Sequence, residues 1–191
     1  MRASAAAPVF FDPEEIDLGG RRFVFVDGGL TPYNNPALIA VRTAVLPAYN
    51  VGWEPGPKRI RLVSVGTLRM TSPESHATVQ QMWLGYHLPR IPAALMQGIS
   101  QEQDFACRCL GECRYGEPLD SEVGDLTGTA VPGEKWFSYV RYNRSMRVED
   151  AAASLGRSID LSRLDAVDAI PVLRELGRAY AAEHVRLEHL L

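Results

Sequence analysis

Residues 22–31 read Arg22-Phe23-Val24-Phe25-Val26-Asp27-Gly28-Gly29-Leu30-Thr31. Phe23 to Val26 is an unbroken run of aromatic and β-branched side chains. A short run of that kind fits a strand buried on both faces, as in a parallel sheet. Gly28 and Gly29 end it. The Asp27-Gly28 pair has a second reading, the turn of a β-hairpin. That turn needs an alternating strand directly downstream. Leu30-Thr31-Pro32-Tyr33-Asn34-Asn35-Pro36 follows instead, and it leads into a helix. The pattern therefore puts Asp27 at the C-terminal end of a buried parallel strand, the edge where open α/β sheets place ligand sites. The glycines let the backbone turn sharply and leave the carboxylate open to a neighbour.

Downstream, Asn35 can cap a helix, and Pro36 suits its first position because the missing N–H would be unpaired there anyway. The helix is expected from Pro36 to about Pro47, with Leu38, Val41, Val45 and Leu46 on one side. Residues 51–58 are a Gly/Pro-rich loop. Ile60 to Thr67 is a second strand. The first 70 residues thus read strand–helix–strand, the crossover unit of a parallel sheet. Beyond them the character becomes mainly helical. Glu74 to about His87 carries Val79, Met82, Trp83 and Tyr86 at helical spacing, and Pro89 and Pro92 break it. A further helix covers 93–110. Residues 111–134 are mainly loop, Trp136 to Tyr142 is a strand, and Pro171 to Leu191 is the clearest helix.

The chain has 191 residues, 46% hydrophobic and 23% charged, with a net charge of -3. That is an ordinary globular profile with no general reason to bind nucleic acid. No run approaches a membrane-spanning helix, and the Ala-rich start is too short for a signal peptide. The expected location is cytoplasmic, with contact at the membrane periphery left open. Three cysteines, Cys107, Cys109 and Cys113, are an odd count and argue against a disulfide framework. Their C-x-C-x3-C spacing lacks a nearby histidine as fourth zinc ligand, so no metal is expected.

Three blocks together resemble successive blocks of bacterial patatin-like phospholipases. They are Ala3 to Phe11, then Phe25-Val26-Asp27-Gly28-Gly29, then Tyr33-Asn34-Asn35-Pro36-Ala37. Ile60 to Thr67 is similar to the next strand of that fold, and Phe105 to Leu126 and Phe137 to Leu191 are similar to the C-terminal extension of one branch. The resemblance implies the C-terminal half of a three-layer α/β/α domain over residues 1–70, followed by a mainly helical extension over 71–191. It implies a lipid acyl hydrolase with a Ser–Asp dyad and no cofactor. Asp27 is then the general base that takes the serine proton. Gly28 and Gly29 shape the turn and do no chemistry. An oxyanion hole of backbone N–H groups completes such a site.

The chain departs from that family in one respect. No G-x-S-x-G elbow is present: Gly98-Ile99-Ser100 and Gly156-Arg157-Ser158 both lack the second glycine. Only Gly19-Gly20 precedes Asp27 as a glycine-rich stretch. The serine-bearing part is expected on the N-terminal side of Met1 or on a second polypeptide. A strand at 22–27 without that part exposes apolar faces and an unpaired edge, which predicts poor solubility or obligate pairing. The competing reading is a non-catalytic remnant or a binding module. The hydrolase reading fails if residue 27 lies in an ordinary two-stranded ribbon or on a face with no room for an incoming serine.

Four histidines, His76, His87, His184 and His189, could in principle serve a catalytic triad. A structural or solvated histidine is the ordinary reading, and His184 and His189 suit the end of a helix, where positive charge is favoured. Trp53, Trp83 and Trp136 read as core or loop anchors. Arg141, Arg144 and Arg147 read as a solvated basic face, with phospholipid head groups as the sharper alternative.

Overall fold

The computed structural model describes residues 1–7, 11–67, 69–71, 84–88, 91–129, 132–147, 150 and 167–191. Side chains of Leu30, of 69–71, and of Leu84 and His87 are excepted. The expected helix at 74–87 lies mostly outside these residues, as do His76, Trp83 and Ser158. The chain divides into two compact units, Met1–Trp53 with Met82–Cys107, and Glu54–Gln81 with Arg108–Leu191. A single cut at residue 70 is therefore not where it divides.

In the first unit, β1 (Glu14–Leu18) pairs antiparallel with β2 (Arg21–Phe25), Leu18 opposite Arg21. The expectation of a buried parallel strand at 22–27 is overturned. The cause is Gly19-Gly20. Both have positive φ, +65° and +82°, the condition for a two-residue hairpin turn whose twist matches the strands. Asp17 accepts a 2.8 Å hydrogen bond from Gly20 N–H and closes it. β2 is also not buried: Phe23 is 41% and Val24 66% exposed. The strand–helix–strand crossover falls with it, because β2 has no partner in the sheet that holds the next strand. The helix does form, as α1 (Ala37–Val45), and buries Ala37, Leu38, Val41 and Ala44. Those positions recur at three and four residues, the spacing of one helical face.

The second unit holds the parallel sheet, in the order β3 (Arg61–Val65), β6 (Ser138–Tyr142), β5 (Glu112–Tyr115). Both pairings are parallel. β5 and the strands at 138–147 lie in the stretch expected to be mainly helical. β6 is central and buried throughout. Phe137, Tyr139 and Val140 have no exposed surface, and burying such side chains contributes roughly 2 kcal/mol each. β4 (Arg69–Thr71) and β7 (Ser145–Arg147) continue the β3–β6 pair beyond a break at Gly66 and Asn143. The pairing offset drops by one residue across it. Asn143 occupies the space a Cβ on Gly66 would need.

Helices α2 (Leu84–His87) and α3 (Ile91–Leu110) precede β5. The last helix, α4 (Ile170–His184), buries Val172 and Leu176. It ends at His184, short of the expected Leu191, and a 3-10 turn at Leu187–His189 follows. Among the described residues, no helix is long and apolar enough to cross a membrane. The fold is mixed α/β, a three-stranded parallel sheet with helices.

Candidate functional site

Asp27 stands two residues past the end of β2. Its backbone N–H donates to Ala6 C=O at 2.9 Å, and Ala6 is buried. Its Oδ1 accepts from Gly29 N–H at 2.7 Å, capping the 3-10 turn Gly28–Leu30. This is the side chain's one hydrogen bond among the described residues. Both glycines are dictated by that turn. A Cβ on Gly28 would stand 2.8 Å from Tyr33 Cβ, and one on Gly29 would stand 3.3 Å from Asp27 Oδ1.

The next residues fasten the loop. Thr31 Oγ1 donates to Gly28 C=O and accepts from Tyr33 N–H. Asn34 and Asn35 donate from their side-chain amides to the C=O groups of Met96 and Ser100 on α3. Asn35 is 2% exposed, and its Oδ1 faces Ala37 N–H at 3.4 Å, the capping role its sequence position suggested. The Asp-Gly-Gly and Asn-Asn-Pro blocks thus form one braced turn. Ser100 lies inside α3, which is no strand-to-helix elbow.

A second constellation gathers around the C-terminal ends of the parallel strands. Tyr115 pairs with Val140 only because β5 has one extra residue between Cys113 and Tyr115. That bulge moves Tyr115 to the face it shares with Val140 and Tyr142, which is how bulges re-aim side chains. Tyr115 and Tyr142 rings are 5.3 Å apart. The Tyr115 hydroxyl meets His184 Nδ1 at 3.0 Å, and the Tyr142 hydroxyl meets His189 Nδ1 at 3.0 Å. His189 stacks on Tyr115 at 4.3 Å, and Tyr180 lies 4.5 Å from His184. Each hydroxyl can donate to or accept from its ring nitrogen according to the imidazole tautomer. Among the described residues His184 Nε2 makes no hydrogen bond; Glu183 Oε2, 3.5 Å away, is within ion-pair range only.

Burial pushes the phenols of Tyr142 and Tyr180 up from their ordinary value. A hydrogen bond with Tyr115 adds to the rise at Tyr180. Tyr142 and Tyr180 therefore stay protonated and serve the cluster as neutral hydrogen-bonding groups. Two of the four histidines weighed from sequence belong to it. The missed signals are the bulge and Tyr115, in a stretch read as loop.

Beside these tyrosines lies a cleft of about 480 Å³, lined by the ends of β3 and β6, by Leu173, Gly177, Tyr180 and Ala181 of α4, and by Val185 and Leu190.

The arginines differ from a solvated face at one position. Arg141 is 8% exposed, donates to Ser64 Oγ at 2.6 Å across the β3–β6 pair, and leaves Nε without a partner among the described residues. Central-strand burial decides this, since the residue opposite Ser64 cannot reach water. Arg144 and Arg147 stay partly or fully exposed. Trp53 is 59% exposed and is no core anchor. The three cysteines form no disulfide, and Cys107 and Cys113 are buried. No family model matches the chain, and neither the curated proteins nor the solved structures include a match to it.

Proposed function

We propose that these residues are the C-terminal part of a patatin-like acyl hydrolase of three-layer α/β/α architecture, in which Asp27 is the general base for a serine supplied by another stretch of polypeptide. The observation that carries the reading is the turn at Asp27. One carboxylate oxygen is held by Gly29 N–H. The other has no partner among the described residues and can accept a proton. The flanking blocks of the resemblance, Asn34 and Asn35, hold that turn against α3. The antiparallel ribbon weighs against the form suggested by sequence, since no parallel strand delivers the carboxylate. What supports the reading is the order of the motifs and the braced turn.

In the proposed reaction the serine Oγ attacks the acyl carbonyl carbon while its proton passes to the free oxygen of Asp27. The tetrahedral adduct collapses, and the leaving alkoxide takes that proton. Water, deprotonated in turn by Asp27, releases the carboxylic acid and restores the serine. No metal or organic cofactor enters. The substrate class is phospholipid or another acyl ester, and a site at the membrane periphery suits it.

A second reading is a non-catalytic remnant or binding module. The one bond Asp27 makes is a structural cap, and a capping aspartate needs no catalytic explanation. One experiment separates the two. The polypeptide encoded directly upstream of the Met1 codon is co-expressed with this chain, and p-nitrophenyl ester hydrolysis is measured. The hydrolase reading expects turnover only when both are present, with a fluorophosphonate labelling a serine in the added part. An upstream sequence without G-x-S-x-G, or a mixture without turnover, supports the remnant.

A further inference from the structure

We propose that the cleft beneath α4, at the C-terminal ends of β3 and β6, binds an apolar monocarboxylic acid. This inference stands apart from the role of Asp27.

Its position is the first argument. Ligands of α/β sheets sit outside the carboxyl ends of the strands, and the cleft begins where β3 and β6 end, at Val65 and Tyr142. Its volume, about 480 Å³, falls in the range of small-molecule sites, which are mostly apolar with a few placed polar groups.

The walls are the second argument. Val63 is 41%, Val65 73%, Leu173 40% and Val185 40% exposed. These large apolar side chains line one concavity and leave its surface to water, at roughly 25 cal/mol per Å² that an occupant would recover. Gly177 makes the room. It sits inside α4, where glycine costs about 1 kcal/mol against alanine. Its φ is not positive, and a Cβ there would meet nothing within 4 Å. Neither backbone conformation nor packing asks for glycine. The space its missing side chain leaves is the cleft itself.

Charge is the third argument. Arg144 is the one charged residue among those lining the cleft. Its only ion pair among the described residues is with Glu183, at 3.8 Å, and both side chains are partly exposed. So loose a pair holds the guanidinium weakly, and leaves it free to take a carboxylate in the two-pronged geometry it favours. An apolar wall with one cation at its edge matches an apolar body with one anionic end. Tyr142, fixed by His189, and Tyr180, facing Asn143 C=O at 3.5 Å, hold the rim as neutral phenols.

The test uses decanoate and 1-decanol as probes, below their self-association concentrations, with calorimetry on the full chain. Decanoate should bind saturably, and Gly177→Leu should abolish binding while the circular dichroism and melt stay native. If that variant does not fold, Val65→Trp, at an exposed strand end, fills the same space and should abolish binding likewise. Arg144→Gln should weaken decanoate about tenfold and leave decanol unchanged. Absence of saturable decanoate binding overturns the site. So does full binding by a folded cleft-filling variant. Equal loss of both probes in Arg144→Gln overturns the carboxylate assignment.

Discussion

At Asp27 the observed cap and the proposed general base would share one carboxylate, and substitution separates them. Asparagine keeps an oxygen for Gly29 N–H but cannot take a serine proton. Asp27→Ala loses the cap and should destabilise by about 1 kcal/mol, while Asp27→Asn should melt within about 0.5 kcal/mol of the parent. Urea denaturation reads both. Arg108 is a stronger structural anchor. It is 3% exposed and donates from Nη1 to the C=O groups of Glu117 and Asp125, both at 2.8 Å. A Cβ on Gly116 would stand 2.6 Å from its Nη2. Arg108→Met keeps the bulk, takes the donor from Glu117 C=O and leaves Asp125 C=O only the Cys113 thiol at 3.6 Å. The expected cost is about 3 kcal/mol, with faster amide exchange over residues 117–125 as the local signature.

Among the elements, α1, β3, β6 and much of α3 were legible from periodicity and turn residues. The ribbon was not, and the reason is instructive. Asp27-Gly28 offers a hairpin turn, but no alternating strand follows it. The turn lies upstream, at Gly19-Gly20, where Glu14 to Leu18 carries too many charges to read as a buried strand. β5 was hidden by length and by its bulge, which breaks the alternation a strand would show. Gly66 gives the sharpest element-scale prediction. Gly66→Ala drives a methyl into Asn143 at the point where the β3–β6 pairing slips. Overpacking of this kind costs roughly 1–3 kcal/mol. Adding Asn143→Gly should restore part of it, and a double-mutant cycle should show the coupling.

For the whole molecule, the mixed α/β class was legible in the sequence. The sequence did not convey which strands pair, because pairing joins β3 to a strand over seventy residues later. The ribbon leaves large apolar side chains in water, with Leu18 58% and Val24 66% exposed. Stability should also fall in alkali. The Tyr142 and Tyr180 phenols are raised above their ordinary value of 10.0 by burial. The folded state therefore keeps protons that the unfolded state has lost. Their contribution is whole below about pH 10 and declines above it. Urea midpoints between about pH 9 and about pH 12 should drop less steeply when both tyrosines are phenylalanine.

The central claim is that the Asp27 carboxylate takes a proton from a serine outside the described turn. Its most direct measurement is the rate of p-nitrophenyl ester hydrolysis by this chain joined with its serine-bearing partner, for the parent and for Asp27→Asn. The account predicts a fall of at least about 100-fold with the melt unchanged. An Asp27→Asn complex that hydrolyses the ester at the parental rate contradicts it.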